Sequence, residues 1–185
     1  MHGWGRLQLR GGNIARIGFV RLCAAVALVF LASCGYRLAG QGVKLPEPVK
    51  TIAIPIFTNN TAEPGLELSV TQAVIEKFQH DGRLDVVPSA TADSILVCVL
   101  EGYSLEPMAY DAANKATQYR VKLRVKVKFT DKVGQGVSIE KTINSQWDYK
   151  LGASITVAEI ARQEAVIEAA HYLGDKLISL LLEGF

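Results

Sequence analysis

A thirteen-residue stretch, Gln118 to Thr130, constrains the fold of this chain more than any other part of its sequence. Along it, apolar or aromatic residues alternate with cationic ones. The first set is Tyr119, Val121, Leu123, Val125, Val127 and Phe129, and the second is Arg120, Lys122, Arg124, Lys126 and Lys128. A period of two is typical of a strand whose side chains point alternately to two faces. We therefore predict a long strand with one buried and one open face, as in antiparallel sheets.

Four further strands are predicted from short apolar or alternating runs. They are Thr51–Phe57, Leu84–Val87, Ser94–Leu105 and Val137–Tyr149. Pro55 cannot donate to a strand ladder, so the first strand is expected at a sheet edge or bulged there, with a loop over Thr58–Thr61. Near-continuous apolar residues over Ile95–Leu100 favour burial on both faces, or a central position. The polar stretch Glu106–Thr117 is predicted to be a long hairpin loop.

Two amphipathic helices complete the predicted set. The first begins near Pro64 and ends at Asp81–Gly82, residue types that suit a first turn and a helix end. Its apolar arc holds Leu66, Leu68, Val70, Val74, Ile75 and Phe78. Thr156 and Glu159 have the spacing of a capping box at the start of the second helix. Its expected apolar positions are Val157, Ile160, Ala161, Ile167, Ala170, Leu177, Ile178 and Leu181.

The order of these elements predicts an α/β fold of the α+β type. A strand, a helix and a short strand in succession favour a right-handed crossover between two parallel strands. Three longer strands and a closing helix then favour a two-layer sandwich, with both helices on one face of a mixed, mostly antiparallel sheet of four or five strands. Residues 49–185 are expected to form this single domain, and the other sheet face is expected to be open.

The N-terminal part of the chain has the features of a secretory signal. Residues 1–33 carry four arginines and no acid, and the apolar run Leu22–Leu31 is shorter than the about 20 residues that span a bilayer. The small pair Ala32–Ser33 before Cys34 resembles the bacterial lipobox, whose cysteine receives lipid before the signal is removed. The alternative is an ordinary signal peptide with Cys34 there by chance. Residues 34–48 would form an extended tether.

Charge gives no case for a nucleic-acid partner. The chain has 20 Lys+Arg and 18 Asp+Glu, and four of the cations lie in the predicted signal. Removing the signal leaves 152 residues with 16 cations against 18 acids, a net charge of −2. Overall charge therefore does not attract a polyanion, and any cationic surface must be argued locally.

Few residues are available for catalysis or for a metal. Cys98 lies in an apolar run, where a lone cysteine usually behaves as a small hydrophobe. Neither His80 nor His171 is near a cluster with metal-ligand spacing, so we predict no metal site and no cofactor. The serines fit no nucleophile elbow. Glu101 and Glu106 could pair as acid and base, but carboxylates at a strand end are usually solvated. We predict that the chain is not an enzyme.

Several short motifs in this order resemble the LptE family of lipopolysaccharide-assembly lipoproteins. They are Cys34–Leu38, Ile52–Thr61, Glu63–Glu67 and Tyr119–Val121, with the closing helix. The resemblance implies a lipoprotein on the periplasmic side of the outer membrane, a plug and assembly partner of the LptD β-barrel that helps lipopolysaccharide reach the outer leaflet. It implies lipidation at Cys34, and Gly35 after it implies outer-membrane sorting. It carries over no catalytic residue. A different envelope lipoprotein, acting as a scaffold or binding module, is the alternative.

The five cations at even positions, Arg120 to Lys128, form what we call the cationic row. Arginine and lysine suit phosphate oxygens as charged donors. The hypothesis is that the row meets lipopolysaccharide head groups, or acidic residues that line the barrel. Glu140 and Asp148 on the neighbouring strand could pair with two of the cations. The alternatives are a solvated strand face and a guard against edge pairing.

Overall fold

The computed structural model describes residues 49–133, 136, 138–152 and 154–182 of the 185. The predicted signal peptide, Cys34 and the tether over residues 34–48 lie outside these residues, so the domain boundaries remain predictions. Neither helix in the described ranges combines the length and the apolarity needed to cross a bilayer.

Two helices pack on one face of a mixed sheet, which confirms the predicted fold class. The elements are β1 (Thr51–Ala53), β2 (Thr58–Asn59), α1 (Leu66–Asp81), β3 (Asp85–Val86), β4 (Ser94–Tyr110), β5 (Ala116–Asp131), β6 (Ser138–Lys150) and α2 (Ile155–Leu182). The strand order is β3-β1-β4-β5-β6, with β2 also beside β4. As the crossover pattern predicts, β1 is parallel to β3, while β4, β5 and β6 pair antiparallel.

The core lies between the sheet and the two helices. From β5 it takes the side chains at odd positions, Val121, Leu123, Val125, Val127 and Phe129, all of which are buried. Buried residues of both helices complete it, among them Val70, Val74, Phe78, Ala169, Leu173 and Leu177. The alternation read from the sequence therefore directs the odd-numbered face of β5 into the core.

The two helices run in the same direction along the sheet. An ion pair joins Glu63, just before α1, to Arg162 in the early part of α2 at 3.0 Å, and a second joins Lys77 to Asp175 farther along at 2.7 Å. A β-carbon at Gly174 would lie 2.8 Å from Cβ of Lys77. Gly174 therefore allows an approach between the helices that a larger residue would block.

The first strand is shorter than predicted and is not at an edge. It ends at Ala53, before Pro55, and lies between β3 and β4. The predicted loop at Thr58 instead begins a second short strand, β2, which is parallel to β4. Pro55 thus interrupts the pairing rather than bulging one strand, because it has no N–H to donate. The intervening Phe57 N–H is satisfied by Oγ1 of Thr71 at 2.9 Å.

The predicted hairpin loop Glu106–Thr117 is mostly strand. β4 continues through Pro107, which lies opposite Tyr119, to Tyr110. Past Leu100 no described strand pairs with the other side of β4, so a missing donor there costs no ladder bond. The remaining turn closes over five residues, where Asn114 adopts a left-handed φ of 59°.

The position of β4 in the sheet is central, as one of the two predicted alternatives required. Its burial is one-sided, however, since Val97 is 44% exposed on the face away from the helices. The apolar run Ile95–Leu100 therefore does not indicate burial on both faces. A short apolar run does not distinguish a strand buried on both faces from a central strand buried on one face. Apolar, β-branched residues suit both kinds of strand.

The capping residue of α2 differs from the prediction. Ser154 rather than Thr156 caps the helix, since the Val157 N–H donates to Ser154 Oγ at 3.3 Å. The carboxylate of Glu159 binds Arg162 instead of reaching back to the cap. The chain therefore enters the helix two residues earlier than the Thr-x-x-Glu spacing indicates.

The buried faces of the helices also differ in part from the prediction. Val157, Ile160 and Ile167 of α2 are exposed, as is Leu68 of α1. The buried positions of α2 instead include Ala165, Val166, Ala169 and Leu173. Apolar residues cover more than one face of α2, so periodicity alone does not determine which face meets α1 and the sheet.

Candidate functional site on the open sheet face

The cationic row lies on the face of the sheet opposite to the helices. Its residues alternate along β5 with the buried ones, and side chains of a strand point alternately to the two faces. β4 lies on one side of the row and β6 on the other. Whatever meets the row must therefore approach the sheet from the side that no described helix covers.

Three of the five cations are held by carboxylates. Arg120 Nε and Nη2 donate to the two carboxylate oxygens of Asp148 at 2.5 and 2.8 Å. Lys126 Nζ lies 2.7 Å from Glu140 Oε1. These are the two acids that the sequence offered as partners. Lys122 Nζ also donates to Glu106 Oε2 at 2.5 Å, a pair the sequence missed because Glu106 was expected in a loop.

Two of these ion pairs, Arg120–Asp148 and Lys126–Glu140, favour the charged forms of both partners. The hydrogen bond from Arg120 lowers the pKa of Asp148, and the one from Lys126 lowers the pKa of Glu140. The same bonds raise the pKa values of Arg120 and Lys126. The charge of Lys128 also contributes to the lower pKa of Glu140. The open face is thus a mixed-charge surface rather than the uncompensated cationic stripe that β5 alone indicates.

Arg124 differs from the rest of the row. It forms no ion pair with a carboxylate of the described residues, and its cross-strand neighbours are Gly102 on β4 and Asn144 on β6. Neither neighbour carries a charge. Lys128 also has no such ion pair, but its charge acts on Glu140. The guanidinium of Arg124 is therefore the least compensated charge in the row.

A concavity of about 510 Å³ surrounds Arg124. We call it the Arg124 notch, and its lining includes Gly102, Ser104, Glu106, Lys122, Arg124, Asn144 and Gln146. The pairing of β4 with β5 shifts register between Leu100 and Gly102, where the absent side chain leaves room. A glycine inside a strand run was the available sequence signal for this close approach. Which residues lie opposite that glycine depends on the cross-strand register, and the sequence does not show this register.

A second polar cluster connects several elements beside a smaller concavity of about 300 Å³. Arg162 of α2 donates to Tyr103 OH on β4 at 2.7 Å and also binds Glu159 and Glu63. Its guanidinium lowers the pKa of the Glu159 carboxyl to about 2. Burial raises the pKa of Tyr103. We interpret this cluster as a structural clamp between α2, β4 and the segment before α1.

The described residues offer little that would support catalysis. Glu106, one member of the acid and base pair considered above, is bound by Lys122. The Cys98 thiol is buried, which raises its pKa to about 12 and leaves it a poor nucleophile. Within the described ranges, no three His, Cys, Asp or Glu side chains are grouped to hold a metal ion.

Comparison with known proteins identifies the family. The model of the LptE family, described as lipopolysaccharide-assembly, matches residues 49–181. The chain belongs to the LptE family. Membership makes it a lipopolysaccharide-assembly lipoprotein of the cell envelope and confirms the resemblance noted in the sequence. The LptE family is a non-enzymatic assembly family, and its members partner with LptD-like proteins.

Several solved structures are similar to this LptE-family chain. The rare lipoprotein B from Shewanella oneidensis is 13% identical, with a TM-score of 0.48 over 70% of this chain and 92% of that one. A minor lipoprotein from Acinetobacter baumannii is 10% identical, with a TM-score of 0.46 over 72% and 90%. Lipoprotein B from Nitrosomonas europaea is 15% identical, with a TM-score of 0.43 over 78% and 88%. No curated protein matches the chain. Family membership therefore rests on the family model.

Proposed function

We propose that this chain is an outer-membrane lipoprotein that serves as plug and assembly partner of an LptD-like β-barrel in lipopolysaccharide transport. Lipid on Cys34 anchors it to the periplasmic side of the membrane, and it catalyses no reaction. The observation that carries the proposal is an open, cation-bearing sheet face in a chain of the LptE family. The alternative is a scaffold or binding module of the envelope that has no barrel partner.

The open face suits a phosphorylated ligand because its charges are accessible. Exposed ion pairs such as Lys126–Glu140 contribute little to stability, so an incoming phosphate can compete with the carboxylate. Lipopolysaccharide carries phosphates on its sugar head, and these are matched by the guanidinium and ammonium groups of the row. Acidic residues lining the barrel would be matched by the same groups.

Binding of lipopolysaccharide micelles by the mature domain is expected to weaken as salt is raised, because ions screen exposed charges. Replacing Arg120, Arg124 and Lys126 together with Ser should weaken binding at low salt. The helix and strand content should not change, since these side chains point away from the core. The measurements are micelle binding by fluorescence anisotropy over a salt series and circular dichroism of each protein.

A control for this experiment removes three positive charges elsewhere. Lys50, Arg83 and Lys132 lie outside the cationic row, and their joint replacement with Ser should leave binding close to that of the unchanged protein. Salt-independent binding that persists when Arg120, Arg124 and Lys126 are replaced would contradict the proposal. The cationic row would then be interpreted as a solvated strand face.

Replacing Cys34 with Ala is expected to release the protein from the outer membrane. Each buried methylene contributes about 0.8 kcal/mol to membrane binding, and about two membrane signals give stable anchoring. The three acyl chains of a mature bacterial lipoprotein would exceed that requirement. Fractionation of cells measures the location, and Cys98→Ala is the control because that thiol is buried in the domain.

The anchored protein should also capture its barrel. Affinity purification of full-length protein from detergent-solubilised membranes is expected to bring down an LptD-like β-barrel, identified by mass. An unmodified N-terminal cysteine in the purified protein would contradict the anchor. Capture without any large barrel would favour the scaffold alternative.

A further inference from the structure

The outer edge of β6 is long and carries no neighbouring strand. β6 is the last strand in the order of the sheet, and within the described ranges no strand pairs with its outer side. Its pairing with β5 runs without a shift from Gln118–Lys150 to Thr130–Ser138, so 13 residues present this edge. An edge of this length offers a row of backbone N–H and C=O groups to another strand.

The hydrogen-bond pattern shows which backbone groups of β6 point outward. The Leu151 N–H donates to Thr117 O at 2.9 Å, which makes the adjacent pair of Gln118 and Lys150 a non-hydrogen-bonded one. The two kinds of pair alternate along an antiparallel ladder. Odd-numbered residues of β6 therefore bond to β5, and the backbone groups of the even-numbered residues point outward. The even-numbered residues are Glu140, Thr142, Asn144, Gln146, Asp148 and Lys150, and all six are exposed.

Lys176 of α2 covers the middle of this edge. Its Nζ donates to the backbone oxygen of Asn144 at 2.7 Å and lies 4.5 Å from the centroid of the Tyr172 ring. The attraction between the ammonium group and the ring holds the side chain over the edge. Since the Asn144 oxygen points outward, an incoming strand would need the acceptor that Lys176 occupies. A lysine therefore lies where a pairing strand would have to bond.

We infer that the outer edge of β6 is a self-association surface for a second copy of this chain, and that Lys176 keeps this surface closed. Two copies would pair their β6 strands antiparallel about a two-fold axis, so that the two sheets become one. The inference goes beyond the proposed function and does not rest on it.

The sequence of β6 is complementary to itself in one register. Outward-facing residues must pair with outward-facing residues, and a two-fold axis at Ser145 satisfies this condition. Glu140 of each copy then lies opposite Lys150 of the other, so that opposite charges meet at both ends. On the helix side, Ile143 lies opposite Trp147, whose side chain is 44% exposed in the single chain. Pairing would cover this apolar surface.

The neighbouring register is unfavourable. A two-fold axis at Asn144 would place Glu140 of each copy opposite Asp148 of the other, and like charges directly opposite each other are destabilising. The charge pattern therefore selects the register centred on Ser145. Because the favourable pair occurs twice by symmetry, the pattern fits a second copy of the same strand.

The test measures self-association of the full-length protein in detergent by sedimentation velocity over a series of protein concentrations. Lys176→Met keeps the apolar stem and removes the donor. It is expected to self-associate at least about tenfold more tightly than the unchanged protein, because one released hydrogen-bond acceptor has an effect of this order. Lys115→Met is the control, since Lys115 is exposed in the turn between β4 and β5. It should behave like the unchanged protein.

Two second substitutions in the Lys176→Met protein test the edge itself. Gln146→Pro removes an outward N–H and leaves the bonds to β5 in place, as proline at a sheet edge does. Lys150→Glu places like charges opposite each other at both ends of the paired strands. Both should restore the monomer. Circular dichroism melts identify a variant that fails to fold, and Lys150→Glu keeps the test decisive because it does not alter the backbone.

Cross-linking tests the register. In the Lys176→Met protein, Glu140→Cys combined with Lys150→Cys should give a disulfide-linked dimer under mild oxidation, whereas Glu140→Cys combined with Asp148→Cys should give little. Cys98 is buried and does not compete. A dimer linked mainly through positions 140 and 148 would overturn the register.

The remaining outcomes decide the other two parts of the inference. A Lys176→Met protein that stays monomeric at every concentration would overturn the surface, as would a dimer that persists with both Gln146→Pro and Lys150→Glu. Equal self-association of the unchanged protein and Lys176→Met would overturn the closing role of Lys176. Lipopolysaccharide and the barrel are absent from these measurements, so the proposed function is decided separately.

Discussion

Replacing Phe129 with Ala is expected to lower the free energy of unfolding of the domain by about 3–5 kcal/mol. Phe129 lies on β5 with no exposed surface, opposite the buried Leu96 of β4 and beside Ile139 of β6. Removing the ring takes apolar contacts from the core and leaves a cavity that strands held on both sides cannot easily close. Urea unfolding of the mature domain, followed by circular dichroism, measures the change.

The control for Phe129 is a large apolar residue outside the core. Ile56 is 64% exposed, so Ile56→Ala should change stability by no more than about 0.5 kcal/mol. A loss below about 1 kcal/mol in Phe129→Ala would contradict the position of β5 between the core and the open face. An unchanged m-value would show that the variant still unfolds from the same compact state.

Replacing Gly174 with Leu is expected to destabilise the domain by about 2 kcal/mol, although leucine is the better helix former. The gain in helix propensity is about 0.8 kcal/mol, whereas overpacking typically costs about 1–3 kcal/mol and occasionally more. The cost is expected at the upper end because the added β-carbon would lie 2.8 and 2.9 Å from Cβ and Cγ of Lys77. These atoms are close to the backbone of α1 and cannot swing away as a side-chain tip can.

The matched control adds leucine at an exposed position of the same helix. Glu164→Leu should leave the midpoint of urea unfolding nearly unchanged. Gly174→Ala should fall between the unchanged protein and Gly174→Leu, since it adds only the first clashing atom. A stabilised Gly174→Leu variant would mean that α1 and α2 do not approach closely at this point.

The parts of the fold that local chemistry determines were predictable from the sequence. The alternation in β5 is one, because burial of one strand face requires a period of two. The end of α1 is another. Gly82 adopts a left-handed φ of 70° and donates its N–H to Phe78 O at 3.1 Å, a conformation for which glycine pays no side-chain penalty.

The errors occurred where a residue's role depends on a distant part of the chain. Pro107 reads as a loop residue, but it is tolerated in β4 because no described strand pairs with that stretch on the other side. Ser154 and Thr156 are both good capping residues, and the entry of the chain from β6 determines which one is used. The buried face of α2 depends on its contact with α1, which is set by tertiary packing.

The candidate site was predictable in its residue types but not in its geometry. The five cations and two of their acidic partners followed from two neighbouring strands. Glu106 was missed as the third partner because it was assigned to the hairpin loop. The notch was missed because Gly102, Arg124 and Asn144 meet only through the register of three strands. These three residues are far apart in the sequence, and only the pairing of the strands makes them neighbours.

The two faces of β5 are linked, because successive residues of the strand point to opposite faces. Substitutions can alter either face one residue at a time, because each side chain belongs to only one of them. Loss or gain of a single residue within β5 would shift all following side chains to the opposite face, so that cations would enter the core and apolar residues would lie on the open face. The charges on the open face can therefore be substituted without disturbing the core, whereas the length of β5 cannot change without disturbing it.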